Sequence, residues 1–169
     1  MGNNGVRFKG RLISLMTKKT LLPNGRLVHL DTIRHPGAAL VIPLVSENKV
    51  VLLKQFRPVI NAYLYELPAG TLNRGESPLA CAKREVIEET GYAAARFTRL
   101  GVIYPVPGYS TEKITIFKAQ GLRKQKARLE ADEIIAAAVV TREELEKLFR
   151  AGEITDAKTI SAFALCGWL

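Results

Sequence analysis

The stretch Gly70-Thr71-Leu72-Asn73-Arg74-Gly75-Glu76-Ser77-Pro78-Leu79-Ala80-Cys81-Ala82-Lys83-Arg84-Glu85-Val86-Ile87-Glu88-Glu89-Thr90-Gly91-Tyr92 sets the reading of the whole chain. Ser77 is a favoured N-cap, and Pro78 suits the first helical position because its missing N–H would have no partner there. A helix is expected to run to about Thr90, with Gly91 as its left-handed stop. Along it Glu85, Glu88 and Glu89 are related by steps of three and four residues, so all three fall within an arc of about 100°. Leu79, Ala82 and Val86 make a separate apolar stripe for packing. Like charges at this spacing destabilise a bare helix by about 0.2–0.5 kcal/mol per pair, and a bound divalent cation would reverse that cost. Oxygen-only ligands suit Mg²⁺ or Mn²⁺, which keep several waters and share them with substrate phosphates.

The flanking sequence reads as strands before this helix and as strands and helices after it. Leu12 to Thr20 and Leu27 to Arg34 surround the turn signal Pro23-Asn24-Gly25, a hairpin. Ala38 to Leu44 and Val50 to Phe56 form a second pair about Glu47-Asn48, and Pro43 places its strand at a sheet edge or bulge. Strand patterns return at Phe97 to Ile103, Lys113 to Ala119 and Ile134 to Val140. Thr141-Arg142-Glu143-Glu144 matches a capping box that opens a helix to about Arg150, and Asp156 to Leu165 gives a third helix. The basic run from Lys118 to Arg128 reads as a solvated loop. The class is α/β with a mixed sheet.

With 169 residues, 47% hydrophobic and 24% charged, the chain fits one domain that buries roughly two-thirds of its unfolded surface without disulfide or metal. Disordered, collagen-like and disulfide-stapled classes are ruled out. Cys81 and Cys166 lack zinc-site spacing and read as reduced thiols. No apolar run nears ~20 residues and no leader pattern is visible, so a cytoplasmic protein with no membrane partner is expected. The net charge of +9 is uneven. Residues 1–60 hold ten Lys/Arg against Asp31 and Glu47, a net of +8, while 61–169 hold fifteen against fourteen. A polyanion or a phosphorylated small ligand would suit the first part.

The stretch 70–92 resembles, position for position, the box G-x5-E-x7-R-E-U-x-E-E-x-G-U of the Nudix hydrolases, with U bulky and apolar. Gly70, Glu76, Arg84, Glu85, Glu88, Glu89 and Gly91 fill the fixed places, and Val86 and Tyr92 the apolar ones. A chance match is on the order of 10⁻⁸ per window. The resemblance covers most of the chain and implies an α/β/α sandwich with a mixed sheet. It further implies metal-dependent cleavage of a nucleoside diphosphate linked to another moiety, with Mg²⁺ as cofactor and Mn²⁺ as substitute. Residues 1–36 would be N-terminal antiparallel strands, a dimerisation element as in relatives that exchange such strands, and 37–169 the catalytic fold. By the same resemblance Glu85, Glu89, the carbonyl of Ala69 and Glu88 would hold metal, and Glu76 and Arg84 would fix the helix. Gly70 and Gly91 fit turns at its two ends.

Two further stretches resemble the ADP-ribose pyrophosphatase branch. Pro107-Gly108-Tyr109-Ser110-Thr111-Glu112 lies fifteen positions past the box, and Gln55-Phe56-Arg57-Pro58 leads to Tyr65-Glu66-Leu67-Pro68-Ala69-Gly70. Arg57, Arg34 and Glu112 would contact substrate, Arg57 as a planar fork on a diphosphate oxygen. The acidic loop Leu129-Glu130-Ala131-Asp132-Glu133 would supply the general base, Glu133 or Glu130, with Glu88 as a further catalytic carboxylate. The implied substrate is ADP-ribose or a related nucleoside diphosphate sugar. GDP-mannose or ADP-glucose hydrolysis, a non-catalytic ADP-ribose sensor and RNA decapping are the alternatives. His29 and His35 read as structural, and Trp168 and Tyr109 as packing residues.

Overall fold

A computed structural model describes residues 5–129 and 133–169. Glu130 of the acidic loop lies outside the described residues. The first three strands, β1 (Gly5–Lys9), β2 (Ser14–Leu21) and β3 (Leu27–Arg34), form an antiparallel sheet of their own. The β2–β3 register closes at Leu21↔Leu27 around Gly25, whose φ of 78° is the left-handed backbone the Asn-Gly turn requires.

A second, mixed sheet is built on β4 (Ala38–Ser46) and β5 (Lys49–Arg57), ordered β10-β5-β4-β9-β8 with β8 (Tyr92–Ile103), β9 (Ile114–Lys124) and β10 (Ile135–Thr141). Only β4 and β9 run parallel. The β4–β5 hairpin is paired solely near its turn, at Leu44↔Val50 and Ser46↔Lys49. Beyond that the two strands part. The short strand β6 (Ala62–Glu66) pairs with β5 and β7 (Ala69–Thr71) pairs with β4. Residues 66–71 thereby sit in the fork of the sheet, where the site forms.

Helices cover both faces. Leu40, Ile42, Leu52 and Ile116 point to one side, against Leu145 of α2 (Arg142–Arg150) and Phe163 of α3 (Ala157–Cys166). Ala39, Val41, Phe117 and Ala119 point to the other, against Cys81, Ala82 and Val86 of α1 (Pro78–Thr90). Burial on both faces explains why Ala38 to Leu44 reads as an unbroken buried run rather than an alternation. The capping residues behave as their sequence demands. Ser77 accepts from the N–H of Ala80, Gly91 is left-handed at φ 68°, and Thr141 and Glu144 complete the capping box.

Four expectations are corrected. Pro43 lies in an interior strand, not at an edge, though the β4–β5 register does slip just beyond it, between Leu44 and Ser46. It shares a side of β4 with Val41, whose N–H donates to the Pro68 carbonyl, and it falls where β7 has ended and the β5 pairing has yet to begin. Its missing donor therefore costs no ladder bond. Leu79 is exposed, and Cys81 takes its place in the packed stripe of α1. The basic run is strand as far as Lys124, because β8 pairs with it from Tyr92 onward. The short strands β6 and β7 lie where the sequence reading places none. Among the described residues no helix is long and apolar enough to cross a membrane.

Phe163, fully buried, lies edge-on to Phe149 at 6.0 Å and stacked on Trp168 at 5.9 Å. Phe163→Ala is expected to cost about 3–5 kcal/mol in chemical denaturation. A loss below 1 kcal/mol would contradict this packing.

Candidate active site

The box folds as β7, a loop and α1. Glu76 anchors the loop by accepting from the N–H of Asn73 at 2.9 Å, and takes the Arg84 guanidinium through Nε at 3.0 Å and Nη2 at 3.1 Å. Arg84 Nη1 then reaches Glu85 at 2.6 Å and Glu88 at 3.0 Å, while Nη2 donates to the Thr71 carbonyl at 3.3 Å. One planar cation thus ties the loop to three carboxylates of the helix region, a task suited to a rigid fork of donors.

Glu85 and Glu89 are 7% and 5% exposed, so they are part of the packed side of α1 and not of a solvated acidic face. Glu89 Oε2 accepts from the N–H of Ala69 at 3.0 Å. Glu85 lies flat on Gly70: a Cβ built there would stand 1.5 Å from its Oε1. Gly70 is therefore required for this close approach, while its φ is ordinary and it makes no turn. Gly91, at the other end, is the glycine that a left-handed φ demands.

Burial disfavours the charged form of both glutamates. It pushes the Glu85 carboxyl up to about 7, with Arg84 opposing and the charges of Glu88 and Glu133 adding to it. It raises Glu89 well above the ordinary carboxylate range, helped by the charges of Glu85 and Glu133 and opposed by the Ala69 N–H. Cys81, close by, is pushed up to about 12 by burial and stays an inert thiol.

Ala69, Gly70, Glu85, Glu88, Glu133, Arg57 and Arg84 line one cavity of about 600 Å³, with Arg11, Arg74 and Phe56 at its walls. Among the described residues no three acidic, His or Cys side chains already stand together at metal-holding spacing. The Arg84 guanidinium occupies the gap between Glu85 and Glu88, and Glu89 is turned onto the Ala69 amide. The donor set nonetheless fits a hard divalent cation: buried carboxylates that repel one another beside a backbone loop are relieved by an oxygen-seeking positive ion.

The expected site residues are partly gathered here. Arg34 lines a neighbouring groove with His35, Arg74 and Glu76, and Glu112 faces His35 Nε2 at 3.9 Å. Neither reaches the cavity of Glu85. His35 Nδ1 accepts from the N–H of Gly37, a local bond within the turn. Sequence reasoning missed Arg11, Arg74 and above all Glu66. Glu66 is fully buried and held by Arg57 at 2.7 and 2.5 Å and by Lys158. A lone carboxylate in the apolar run Ala62 to Leu67 was the available signal.

Two outcomes are expected. Gly70→Ala should displace Glu85 and weaken divalent-cation affinity, read by Mn²⁺ titration, by about 10–100-fold; unchanged affinity would contradict the Gly70–Glu85 contact. For pH, folded Glu85 takes its proton near 7 against an ordinary 4.5. Between those values the folded chain holds more protons than the unfolded one, so stability falls as pH rises. Without divalent cation the loss from pH 5 to 8 should reach at most about 3 kcal/mol from this group. Glu85→Gln should flatten that slope, and an unchanged slope would contradict it.

Comparison with known proteins agrees with this geometry. The model of the NUDIX domain matches residues 34–163. An ADP-ribose pyrophosphatase of Bacillus subtilis (strain 168) is 38% identical over 157 residues, 92% of this chain and 85% of that protein. A methanol dehydrogenase activator of Bacillus methanolicus is 36% identical over the same shares. The crystal structure of an ADP compounds hydrolase superposes with a TM-score of 0.81 at 21% identity, covering 97% of this chain and 89% of that one, a likeness of fold. A loop and helix tied by Glu76 and Arg84, and a domain match that takes in both together with the sheet holding them, make the chain a member of the Nudix family.

Proposed function

We propose that this Nudix-family chain hydrolyses the pyrophosphate bond of a nucleoside diphosphate sugar, ADP-ribose foremost, giving AMP and ribose 5-phosphate. The observation that carries the reading is one cavity whose lining joins the carboxylates Glu85, Glu88 and Glu133 with the cations Arg11, Arg57 and Arg74. A substrate with two phosphates meets the arginines, while the carboxylates are suited to cations that the substrate shares. Its volume of about 600 Å³ lies within the roughly 300–1,000 Å³ usual for small-ligand sites. The similarity to an ADP-ribose pyrophosphatase supports ADP-ribose over GDP-mannose or ADP-glucose.

Glu85 and Glu89, with Glu88 and the Ala69 carbonyl, would hold Mg²⁺, or Mn²⁺ in its place. When bound, the cation supplies charge to offset that developing on the diphosphate oxygens and makes a water more acidic. Glu133, in the same cavity, is placed by this reading as the base that takes the proton of the attacking water, with Glu130 of the same loop as its rival. Arg57 holds a diphosphate oxygen. Arg34, in the adjoining groove, and Glu112, which faces His35 of that groove, would meet the part of the substrate beyond the diphosphate. Arg84 and Glu76 keep the loop and helix in register without touching substrate. The reaction belongs in the cytoplasm, where Cys81 and Cys166, both free, stay reduced. Pairing of two chains through the strands of residues 1–36 completes the proposal.

Assay of ADP-ribose, GDP-mannose, ADP-glucose and capped RNA with Mg²⁺ tests this reading. Turnover of ADP-ribose to AMP and ribose 5-phosphate is expected. Tight ADP-ribose binding without turnover of any compound would overturn it in favour of a sensor. Glu89→Gln should lower kcat by about three powers of ten or more with the fold intact. A twofold loss would remove Glu89 from metal binding. Glu133→Gln should cost far more than Glu130→Gln, and equal small losses would mean that neither is the base.

A further inference from the structure

Arg57 of the cavity lining belongs to a charge network whose other members, Glu66, Lys158 and Asp156, are not part of that lining. Glu66, at the end of β6, is fully buried, and both of its oxygens are engaged by Arg57, Oε1 by Nε at 2.7 Å and Oε2 by Nη2 at 2.5 Å. Lys158 Nζ also bonds Glu66 Oε2, and reaches Asp156 Oδ1 at 2.9 Å. Asp156 is the N-cap of α3, its other oxygen accepting from the N–H of Thr159. The hydroxyl of the same Thr159 accepts from the N–H of Leu67 at 2.9 Å. The first turn of α3 thus grips both the carboxylate of β6 and the backbone that leads into Ala69 and Gly70.

A buried pair of this kind is weak evidence for stability, because desolvation offsets most of its attraction. Burial pushes Glu66 up, yet the Arg57 hydrogen bonds and the Lys158 charge outweigh it and hold the carboxyl below its ordinary range. The geometry explains more. Lys158 is shared between Glu66 and Asp156, so two cations meet two carboxylates and Glu66 is held from both sides. Glu66 takes the Nε–Nη2 edge of the guanidinium and leaves Nη1 on a side chain that lines the cavity and is 38% exposed. A planar group gripped along one edge has its other edge fixed in direction.

We propose that Glu66, braced by Lys158, is a positioning residue that fixes the free edge of Arg57 toward the diphosphate of the bound substrate. The proposal rests on the diphosphate-binding reading of this cavity. It makes α3, which lines none of the cavity, a determinant of the affinity for the anion.

The test is a double-mutant cycle between Glu66→Gln and Arg57→Ala, repeated with Lys158→Gln in case Glu66→Gln fails to fold. Two readouts are used: kcat and KM for ADP-ribose with Mg²⁺, and calorimetric affinity for ADP without divalent cation. Each single variant should raise KM and weaken ADP about 10-fold or more. The double variant should be no worse than Arg57→Ala alone, since Glu66 acts only through Arg57. Arg57→Lys, which keeps charge without the fork, should not restore affinity. Losses that multiply would show Glu66 acting independently of Arg57 and overturn the proposal, as would Lys158→Gln and Glu66→Gln variants that fold and bind ADP like the wild type. If the wild type hydrolyses none of the nucleotide sugars yet binds ADP with the same coupling, the functional reading fails and the positioning role stands. If ADP-ribose is hydrolysed without coupling, the reverse holds. Absence of both turnover and ADP binding would overturn both.

Discussion

The constraint on which the site depends is the placing of two glutamates, Glu85 and Glu89, on the packed side of α1 against a strand that must come close enough to touch them. A carboxylate avoids such burial unless something in the surroundings favours its charge. Here the chain supplies little direct compensation: the Ala69 amide for Glu89, and a shared edge of Arg84 for Glu85. The rest of the unfavourable burial is stored as a raised affinity for a proton. The two glutamates therefore stabilise the folded chain less than apolar residues of like volume would, and on the function proposed above that sacrifice provides ligands for a divalent cation.

Several unrelated bonds converge to hold that arrangement. The Pro68 carbonyl is tied to β4, the Leu67 amide to α3, the Ala69 amide to Glu89, and Gly70 is pressed on Glu85. The loop could not sit there if β4 and β5 stayed paired along their length. Parting after Leu44 and Val50 opens the fork that β6 and β7 fill. The fold thus contributes a rigid seat for the four-residue run Leu67 to Gly70, and the helices on either face, α1 and α3, each grip it from one side. A site on strand and helix ends in this way has its backbone held rigidly.

Local chemistry was legible in the sequence where it acts at short range. Ser77, Gly91, Thr141 and Asp156 each mark a helix end through a bond spanning at most four residues, and the Asn24-Gly25 turn fixes its hairpin for the same reason. The spacing of Glu85, Glu88 and Glu89 announced the acidic site. It did not reveal that two of them are buried, since that depends on β7 crossing α1. Gly70 was read as a turn because sequence shows a missing side chain, not the carboxylate that fills its place. The short strand β6 escaped notice because its turn from β5, Pro58 to Asn61, carries no Asn-Gly signal, and the three-residue strand β7 because it is stabilised by β4, about thirty positions back. Glu66 escaped for a similar reason: Lys158 is 92 positions away. Long-range pairing of charge is where a single sequence carries least information.

The most direct test of the central claim is the number of protons released when a divalent cation binds, read by titration calorimetry of the metal-free protein in buffers of differing ionisation enthalpy. At pH 6, below the point near 7 where Glu85 takes its proton, binding of Mg²⁺ or Mn²⁺ should release about one proton or more per chain. The release should shrink as the pH is raised, and Glu85→Gln should lower it at pH 6. Cation binding that releases no protons at pH 6, or the same number with Glu85→Gln, would contradict a pair of buried glutamates waiting for a metal.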